Sequence, residues 1–282
     1  MKSAFLACGV AACAIGHALP VTNPLDSLLY THNFWYDECE LENECYSWVK
    51  WINKVGVRYG FIDNHVYNRR LEGGANSHVV RNATISTDAG MFIANIRPWL
   101  DVYATVGVTT LSLGLTTPEG APLTETNVAL KYSPRMSYSV GANVAVWKYQ
   151  NLCLGIEGEF LFSNTELSSY TNLTDGSITS FNNTGQRKAN YYEWQLALPA
   201  SYIIYAVENL MVAPFIALQF SGVNWNTSST GGSVLLLDNL TQQQVTGWTL
   251  GMTAIIFEIL GISFEGRFGN EKAITTVAEI SF

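Results

Sequence analysis

The sequence has little charge and no long hydrophobic segment. Only 13% of its 282 residues are Asp, Glu, Lys or Arg, about half the share found in a typical soluble domain. After residue 20, no stretch offers the roughly 18 uninterrupted apolar residues that a transmembrane helix needs. Apolar residues nevertheless make up 48% of the chain and aromatic residues 12%. Hydrophobicity that is abundant but thinly spread favours alternating strands, and it points first to a membrane β-barrel.

Positive charge and histidine are also scarce. Fifteen Lys and Arg stand against 23 Asp and Glu, for a net charge of -8. Two adjacent basic residues occur only at Arg69-Arg70 and Arg187-Lys188, which we interpret as solvated loop positions. Nucleic acid is therefore excluded as a partner. The four histidines fit no nucleophile or zinc-site spacing and no nucleotide-binding loop is present, so we predict no enzyme, no metal and no cofactor.

The N-terminus has the pattern of a secretory signal. A basic residue precedes the apolar run 4–15, and small residues suit cleavage after Ala18. We therefore predict a signal peptide over residues 1–18 and an outer-membrane β-barrel over 19–282. An alternative is a lipoprotein cleavage box at Val10–Cys13, which would leave that cysteine as a lipid-bearing N-terminus.

Removal of the signal leaves an odd number of cysteines. Cys39 and Cys45 lie in an acidic stretch, and Cys153 stands far from them. In an oxidising compartment, Cys39 and Cys45 could close a small loop and leave Cys153 alone. Pairing between chains is the alternative, and a metal site lacks the further ligands that zinc requires.

The last eleven residues alternate strictly between two faces. Ile274, Ala278, Ile280 and Phe282 share one side of a strand. A closing strand that stops at an aromatic residue resembles the C-terminal assembly signal of bacterial outer-membrane barrels, with Phe282 as its last residue. The same alternation recurs in three stretches upstream, at residues 154–162, 192–198 and 262–268.

Short turns alternate along the chain with long polar stretches, as expected for a barrel with periplasmic turns and extracellular loops. The predicted turns lie at 97–98, 149–151, 206–209 and 258–260, and the predicted loops at 116–134, 164–190 and 225–244. A further turn at 62–64 and a first strand at 28–35 give about twelve strands, within a range of ten to sixteen. Ten result if residues 51–71 form one strand and the N-terminal piece stays in the periplasm or lumen.

Ordered patches of the mature chain resemble the chlamydial major outer membrane porin family. The patches are Leu19–Pro24, Ser27–Leu29, Trp35, Cys39–Trp48, Val57–Gly60, Val66–Arg69, Asn95–Arg97, Asp101–Tyr103, Ser139–Ala142, Val146–Trp147, Leu154–Gly155, Glu159–Phe160, Glu193–Gln195, Pro214–Ile216 and Glu265–Phe282. The chain is shorter and has far fewer cysteines than that pattern. The resemblance implies an outer-membrane porin of a Chlamydia-related bacterium, passing small hydrophilic solutes and ions and adding to envelope structure. The resemblance leaves open whether the protein forms a homotrimer.

Strand alternation also predicts which charged residues face the barrel interior, because charge on a lipid face is costly. The predicted pore-lining residues are Arg58, Arg97, Asp101, Glu157, Glu159, Glu193, Glu265, Arg267 and Glu279. This acidic excess predicts a mild preference for cations. The predicted partners are outer-membrane lipid, the barrel assembly machinery and small hydrophilic solutes, and tryptophans near strand ends predict aromatic girdles.

Two other functions stay open at this stage. The lumen could be closed by pairing of opposite charges, such as Arg267 with Glu279. The barrel would then be a non-conducting structural or adhesin-type protein whose long loops contact host or envelope partners. The remaining alternative is a secreted soluble β-protein.

Overall fold

Long β-strands account for nearly all of the described chain. The computed structural model describes residues 23, 56–69, 71–73, 79–97, 99–116, 127–180, 187–207, 210–229, 240–257 and 259–281. None of these residues forms a helix long and apolar enough to cross a membrane. The strands are β1 Gly56–Arg69, β2 Leu71–Gly73, β3 Val79–Arg97, β4 Leu100–Thr116, β5 Asn127–Ser133, β6 Arg135–Tyr149, β7 Leu152–Asn172, β8 Ile178–Ser180, β9 Arg187–Tyr202, β10 Ile204–Val207, β11 Leu210–Ser229, β12 Leu240–Gln242, β13 Thr246–Ile256, β14 Leu260–Phe268 and β15 Glu271–Ser281.

The strands pair antiparallel into a closed ring. β1 pairs with β3 on one side and with β15 on the other, so the first and last described long strands close the ring. β5 and β6 both lie between β4 and β7 and form one ring position, and β10 continues β9. We call each ring position a stave. The described residues form ten staves, in the order β1, β3, β4, β5/β6, β7, β9/β10, β11, β13, β14 and β15.

The predicted all-β antiparallel barrel is confirmed, with ten staves at the lower end of the predicted range. The turn expected at 62–64 does not form, because β1 runs unbroken and pairs through these residues with both β3 and β15. The first strand expected at 28–35 lies outside the described residues. So do the signal peptide, Cys39, Cys45 and Phe282, whose predicted roles stay predictions.

The four predicted short turns coincide with breaks between long strands, and they share one end of the barrel, which we call the turn end. The opposite end is the loop end. Its connections differ from the prediction in two ways. Strands extend far into the polar stretches, as β7 does to Asn172 and β11 to Ser229, because Thr, Ser and Asn continue to pair across the ladder. The connection from β14 to β15 is a tight turn at Gly269–Asn270, where Gly269 takes a φ of 98° that favours glycine.

The two faces of each stave differ sharply in polarity. Along β15, Ile274, Ala278 and Ile280 are exposed on the outside, whereas Thr275 and Glu279 are buried inside. The same alternation holds in β7, β9 and β14, as the sequence predicts. Trp99, Trp147, Trp194 and Trp248 are exposed on the outer surface. Among the tryptophans that the structure describes, Trp225 departs from the predicted girdles, because it is fully buried in the interior.

Candidate functional site: the barrel interior

The interior of the barrel is polar and its outer surface is apolar. Charged and amide side chains such as Arg58, Glu157 and Gln219 are buried, while Phe160, Trp194 and Leu250 are each more than 40% exposed. A soluble β-sandwich would place these groups the other way round. Charged residues inside and apolar residues outside are the arrangement of a transmembrane barrel.

Eight of the nine candidate residues lie buried in the interior. They are Arg58, Asp101, Glu157, Glu159, Glu193, Glu265, Arg267 and Glu279. Arg97 differs, because its side chain is exposed at the turn end of β3, where a register shift between Asn95 and Arg97 interrupts the alternation. The interior residues gather into three clusters at successive heights, which we name the inner, middle and outer clusters.

The inner cluster lies near the turn end and follows the wall. The Arg58 guanidinium donates to Asp101 Oδ2 at 2.6 Å, and its Nε lies 3.6 Å from Glu279 Oε2. Asn95 Nδ2 donates to the other oxygen of Asp101 at 2.8 Å. These residues stand on β1, β3, β4 and β15, which are consecutive staves. Pairing therefore links neighbouring parts of the wall.

The middle cluster joins β4 to β7 across β6. The Tyr103 hydroxyl lies 2.7 Å from Glu157 Oε1 and 3.1 Å from Glu159 Oε2. Tyr103 passes directly over Gly141 of β6, where an added Cβ would lie 2.3 Å from the ring. Glycine at 141 is therefore what allows the tyrosine to reach two carboxylates on the far strand.

The outer cluster is built around Arg69. Its Nη1 donates to the Tyr191 hydroxyl at 2.7 Å and its Nε to Glu271 Oε2 at 2.8 Å, and Nη2 pairs with both Glu193 and Glu271. Arg267 extends the cluster, with Nη1 3.2 Å from Glu271 Oε1. Arg69 and Arg267 are completely buried.

The interpretation of Arg69 as a solvated loop position is wrong. A register shift between Val66 and Asn68 changes which face β1 turns inward, so that Arg69 points into the barrel. One extra residue in a strand exchanges the inward and outward faces for all residues that follow it. The sequence around residue 67 gives no pattern from which this exchange could be predicted. Two further interior residues were not predicted. Glu271 comes just before the last eleven residues, which were predicted as the closing strand. Tyr103 lies two residues after Asp101 and therefore on the same face of β4, so strand alternation was sufficient to identify it.

Apolar side chains fill the interior beside the outer cluster. They come from most of the staves and include Val66, Ile85, Leu111, Leu113, Leu115, Leu130, Tyr132, Tyr191 and Trp225. The Tyr132 and Trp225 ring centroids are 5.0 Å apart, and those of Tyr191 and Trp225 are 5.9 Å apart. The loop half of the lumen is therefore lined by apolar as well as charged side chains, which sequence alternation alone did not predict.

One residue from the N-terminal region also lies inside the barrel. Asn23 is 1% exposed, and its Nδ2 donates to the Ala213 carbonyl and to Thr253 Oγ1, both at 3.1 Å. Its own carbonyl accepts a bond of 3.0 Å from Asn143 Nδ2. These contacts tie Asn23 to β6, β11 and β13 in the turn half of the lumen.

The interior carries a clear excess of negative charge. In the three clusters, three guanidinium groups face seven carboxylates. The carboxylates are Asp101, Glu157, Glu159, Glu193, Glu265, Glu271 and Glu279.

Comparison with known proteins confirms the predicted resemblance. No protein-family model matches the chain. It is 23% identical to a major outer membrane porin of Chlamydia pneumoniae, in an alignment covering 100% of this chain and 99% of that protein. A major outer membrane porin of Chlamydia psittaci is 23% identical, with coverages of 93% and 82%. The serovar L3 porin of Chlamydia trachomatis is 22% identical, with coverages of 99% and 86%.

Solved structures provide a second comparison. The β domain of the Bordetella autotransporter BrkA aligns with a TM-score of 0.43 and 12% identity, covering 81% of this chain and 99% of that chain. The outer membrane protease OmpT from Escherichia coli aligns with a TM-score of 0.34 and 13% identity, covering 80% and 92%. The closed antiparallel ring, its charged interior and apolar outer surface, and the full-length similarity to the major outer membrane porins of several Chlamydia species together make the chain an outer-membrane β-barrel of the porin or channel kind.

Proposed function

We propose that this barrel is a porin through which small hydrophilic solutes and ions diffuse across the bacterial outer membrane, without catalysis or cofactor, and that it also contributes to envelope structure. The buried charge of the interior carries the proposal. Carboxylates and guanidiniums on lipid-spanning strands are costly unless they face water or partners. The similarity to proteins named porins supports the same function.

The size of the ring limits what such a porin passes. Ten staves lie between the roughly eight-stranded barrels that side chains fill and the sixteen-stranded porins that hold a wide aqueous channel. The passage is therefore narrow, and ions and solutes of a few heavy atoms are the proposed substrates. The seven interior carboxylates against three guanidiniums give this passage a preference for cations.

Single-channel recording tests this function directly. The chain without residues 1–18 is refolded, its heat-modifiable migration on a gel confirms the barrel, and it is inserted into a planar bilayer with a salt gradient across it. We expect discrete current steps, and a reversal potential whose sign shows that cations carry most of the current. A reversal potential set by anions would contradict the proposed selectivity, and a folded barrel that never conducts would contradict the porin function.

A second candidate is favoured by the outer cluster. Arg69 ion pairs and the apolar side chains beside them cross the lumen, as expected of a closed barrel with a structural or adhesive role. Under this alternative, outer-membrane lipid and envelope or host partners replace solutes as the relevant contacts. Liposome swelling in small sugars separates the two functions, because only a porin lets the sugars enter.

Recognition by other proteins is also part of the proposal. We propose that the barrel assembly machinery reads the closing strand β15 together with Phe282, the residue that follows it in the sequence. We also propose that the barrels assemble as a homotrimer. Chemical crosslinking of the refolded chain in vesicles measures the oligomeric state, and a gel that shows only the monomer band would exclude the trimer.

A further inference from the structure

Arg69 spans the full width of the ring. From β1, which carries Arg69, to β9, which carries Tyr191 and Glu193, the ring has five steps in either direction. The two strands therefore stand opposite each other, and the Arg69 guanidinium bonds to the hydroxyl and the carboxylate on the far wall. On its own side it pairs with Glu271 of the adjacent β15.

Aromatic side chains of β5, β9 and β11 lie next to this Arg69 bridge in the same part of the lumen. Tyr132 of β5 packs against Trp225 of β11, and Trp225 packs against Tyr191 edge to face. Tyr132, Tyr191, Trp225 and Arg69 are all at most 3% exposed. These four side chains contact one another in sequence across the lumen, and we call them the outer closure.

Arg58 makes a different kind of ion pair, although it too is buried and lies on β1. Its partners are Asp101 and Glu279. They lie on β4 and β15, two staves away in one direction and one in the other. The Arg58 pairs therefore follow the wall and leave the centre of the lumen uncrossed. The two arginines of one strand offer a matched comparison.

We propose that the outer closure is the gate of the channel and that Arg69 is the residue that holds it shut. The inference rests on the proposed porin function. The Glu193 carboxylate and the Tyr191 hydroxyl hold the guanidinium across the lumen by charge-assisted bonds, the strong class of hydrogen bond, while Glu271 pairs with it on its own wall. While they persist, a hydrated ion has no path past this height. Solute passage requires Arg69 to swing back toward Glu271 on its own wall, which separates it from Tyr191 and Glu193.

The charge left behind predicts the character of the open state. Once Arg69 leaves the far wall, Glu193 faces the lumen beside Glu265 and Glu271, and Arg267 pairs with both of the latter. The part of the lumen that Arg69 had closed is then lined by acidic side chains. Cations are the class of solute that it favours, whereas anions meet repulsion from Glu193.

Variants of the mature chain in planar bilayers test the gate. Arg69→Ala is expected to raise the open probability several-fold over the wild type and to shift the reversal potential further toward cations. Glu193→Gln is expected to raise the open probability to a smaller extent, because it weakens the same bridge and leaves Arg69 in place. Arg58→Ala is the comparison, because it also removes one lumenal guanidinium but breaks pairs that follow the wall. We expect it to shift the reversal potential toward cations and to raise the open probability far less than Arg69→Ala does. Heat-modifiable gel migration shows for each variant that the barrel has folded.

The outcomes separate the gate from the porin function. If the wild type conducts and Arg69→Ala and Glu193→Gln conduct identically to it, the gate is wrong and the porin function stands. If Arg58→Ala opens the channel as much as Arg69→Ala does, crossing the lumen has no special role and the gate is again wrong. If folded wild type, Arg69→Ala and the double variant Arg69→Ala with Trp225→Ala all fail to conduct, the porin function and the gate both fail.

Discussion

At the scale of single residues, Tyr103 shows how this barrel accommodates buried carboxylates. Its hydroxyl reaches both Glu157 and Glu159. Replacing Tyr103 with Phe removes a polar partner from two interior acids, so we expect the free energy of unfolding to fall by about 1–3 kcal/mol. Urea titration of the refolded barrel in lipid vesicles measures the change.

The matched control is Tyr138→Phe. Tyr138 is exposed on the outer surface, and its hydroxyl contacts only the Met136 sulfur, at 3.7 Å, among the hydrogen bonds of the described residues. We expect the unfolding midpoint of this variant to match the wild type. Equal midpoints for Tyr103→Phe and Tyr138→Phe would contradict a stabilising role of the middle cluster.

Two glycines on adjacent strands provide a second residue-level prediction. A Cβ at Gly141 would lie 2.3 Å from the Tyr103 ring, whereas one at Gly158 would meet nothing within 4 Å. Gly141→Ala therefore displaces the tyrosine, and we expect a loss of about 1–3 kcal/mol of stability from the clash. Gly158→Ala is expected to leave stability unchanged or slightly higher, because alanine restricts the unfolded chain. The same urea titration compares them, and a stable Gly141→Ala would show that Tyr103 moves aside freely.

At the scale of elements, the N-terminal region contributes Asn23 to the lumen. This residue bonds to Asn143, Ala213 and Thr253 on three different staves. Asn23→Ala removes the two side-chain bonds, and we expect the single-channel current to rise because the residue is held less firmly in the passage. Asn224→Ala, on the outer face of β11, is the control. A current unchanged from the wild type in Asn23→Ala would show that Asn23 does not obstruct the passage.

Strand alternation predicted the elements well wherever one face is apolar and the other charged. In β7, β9, β14 and β15 the side chains point as expected, because lipid outside and polar groups inside impose a period of two. The turn at 62–64 was wrong, since Asp63 and Asn64 pair within a strand. Polar residues also occur inside membrane strands, and composition alone does not separate them from turns.

The candidate site was less accessible to sequence reasoning than the fold. Eight interior charges followed from alternation, but Arg69, which crosses the lumen, did not. Its direction depends on the register shift after Val66, and its partner Glu193 lies more than 120 residues away in the chain. Contacts of that kind are set by closure of the ring. Neither local pattern nor charge pairing along one strand reveals them.

At the scale of the whole molecule, the acidic interior predicts selectivity. The double variant Glu157→Gln with Glu159→Gln removes two lumenal carboxylates. We expect its reversal potential in a salt gradient to move toward zero, the value for a pore that does not discriminate between cations and anions. The control is Asp175→Asn in the exposed connection after β7. There the Ser177 N–H bonds to Asp175 and lowers the pKa of its carboxyl, so that position carries its charge at neutral pH. An equal shift in the control would show that selectivity comes from net charge rather than from the lumen.

The pairing of β1 with β15 has a consequence for biogenesis. This seam joins the earliest described long strand to the last one, from Arg58 with Ser281 to Arg69 with Glu271. Without β15, its two neighbours β1 and β14 each keep an open edge, and such edges are templates for aggregation. The ring therefore cannot close before the eleven residues of β15 are available to pair. A truncation that removes only this strand should leave an aggregating sheet rather than a smaller barrel.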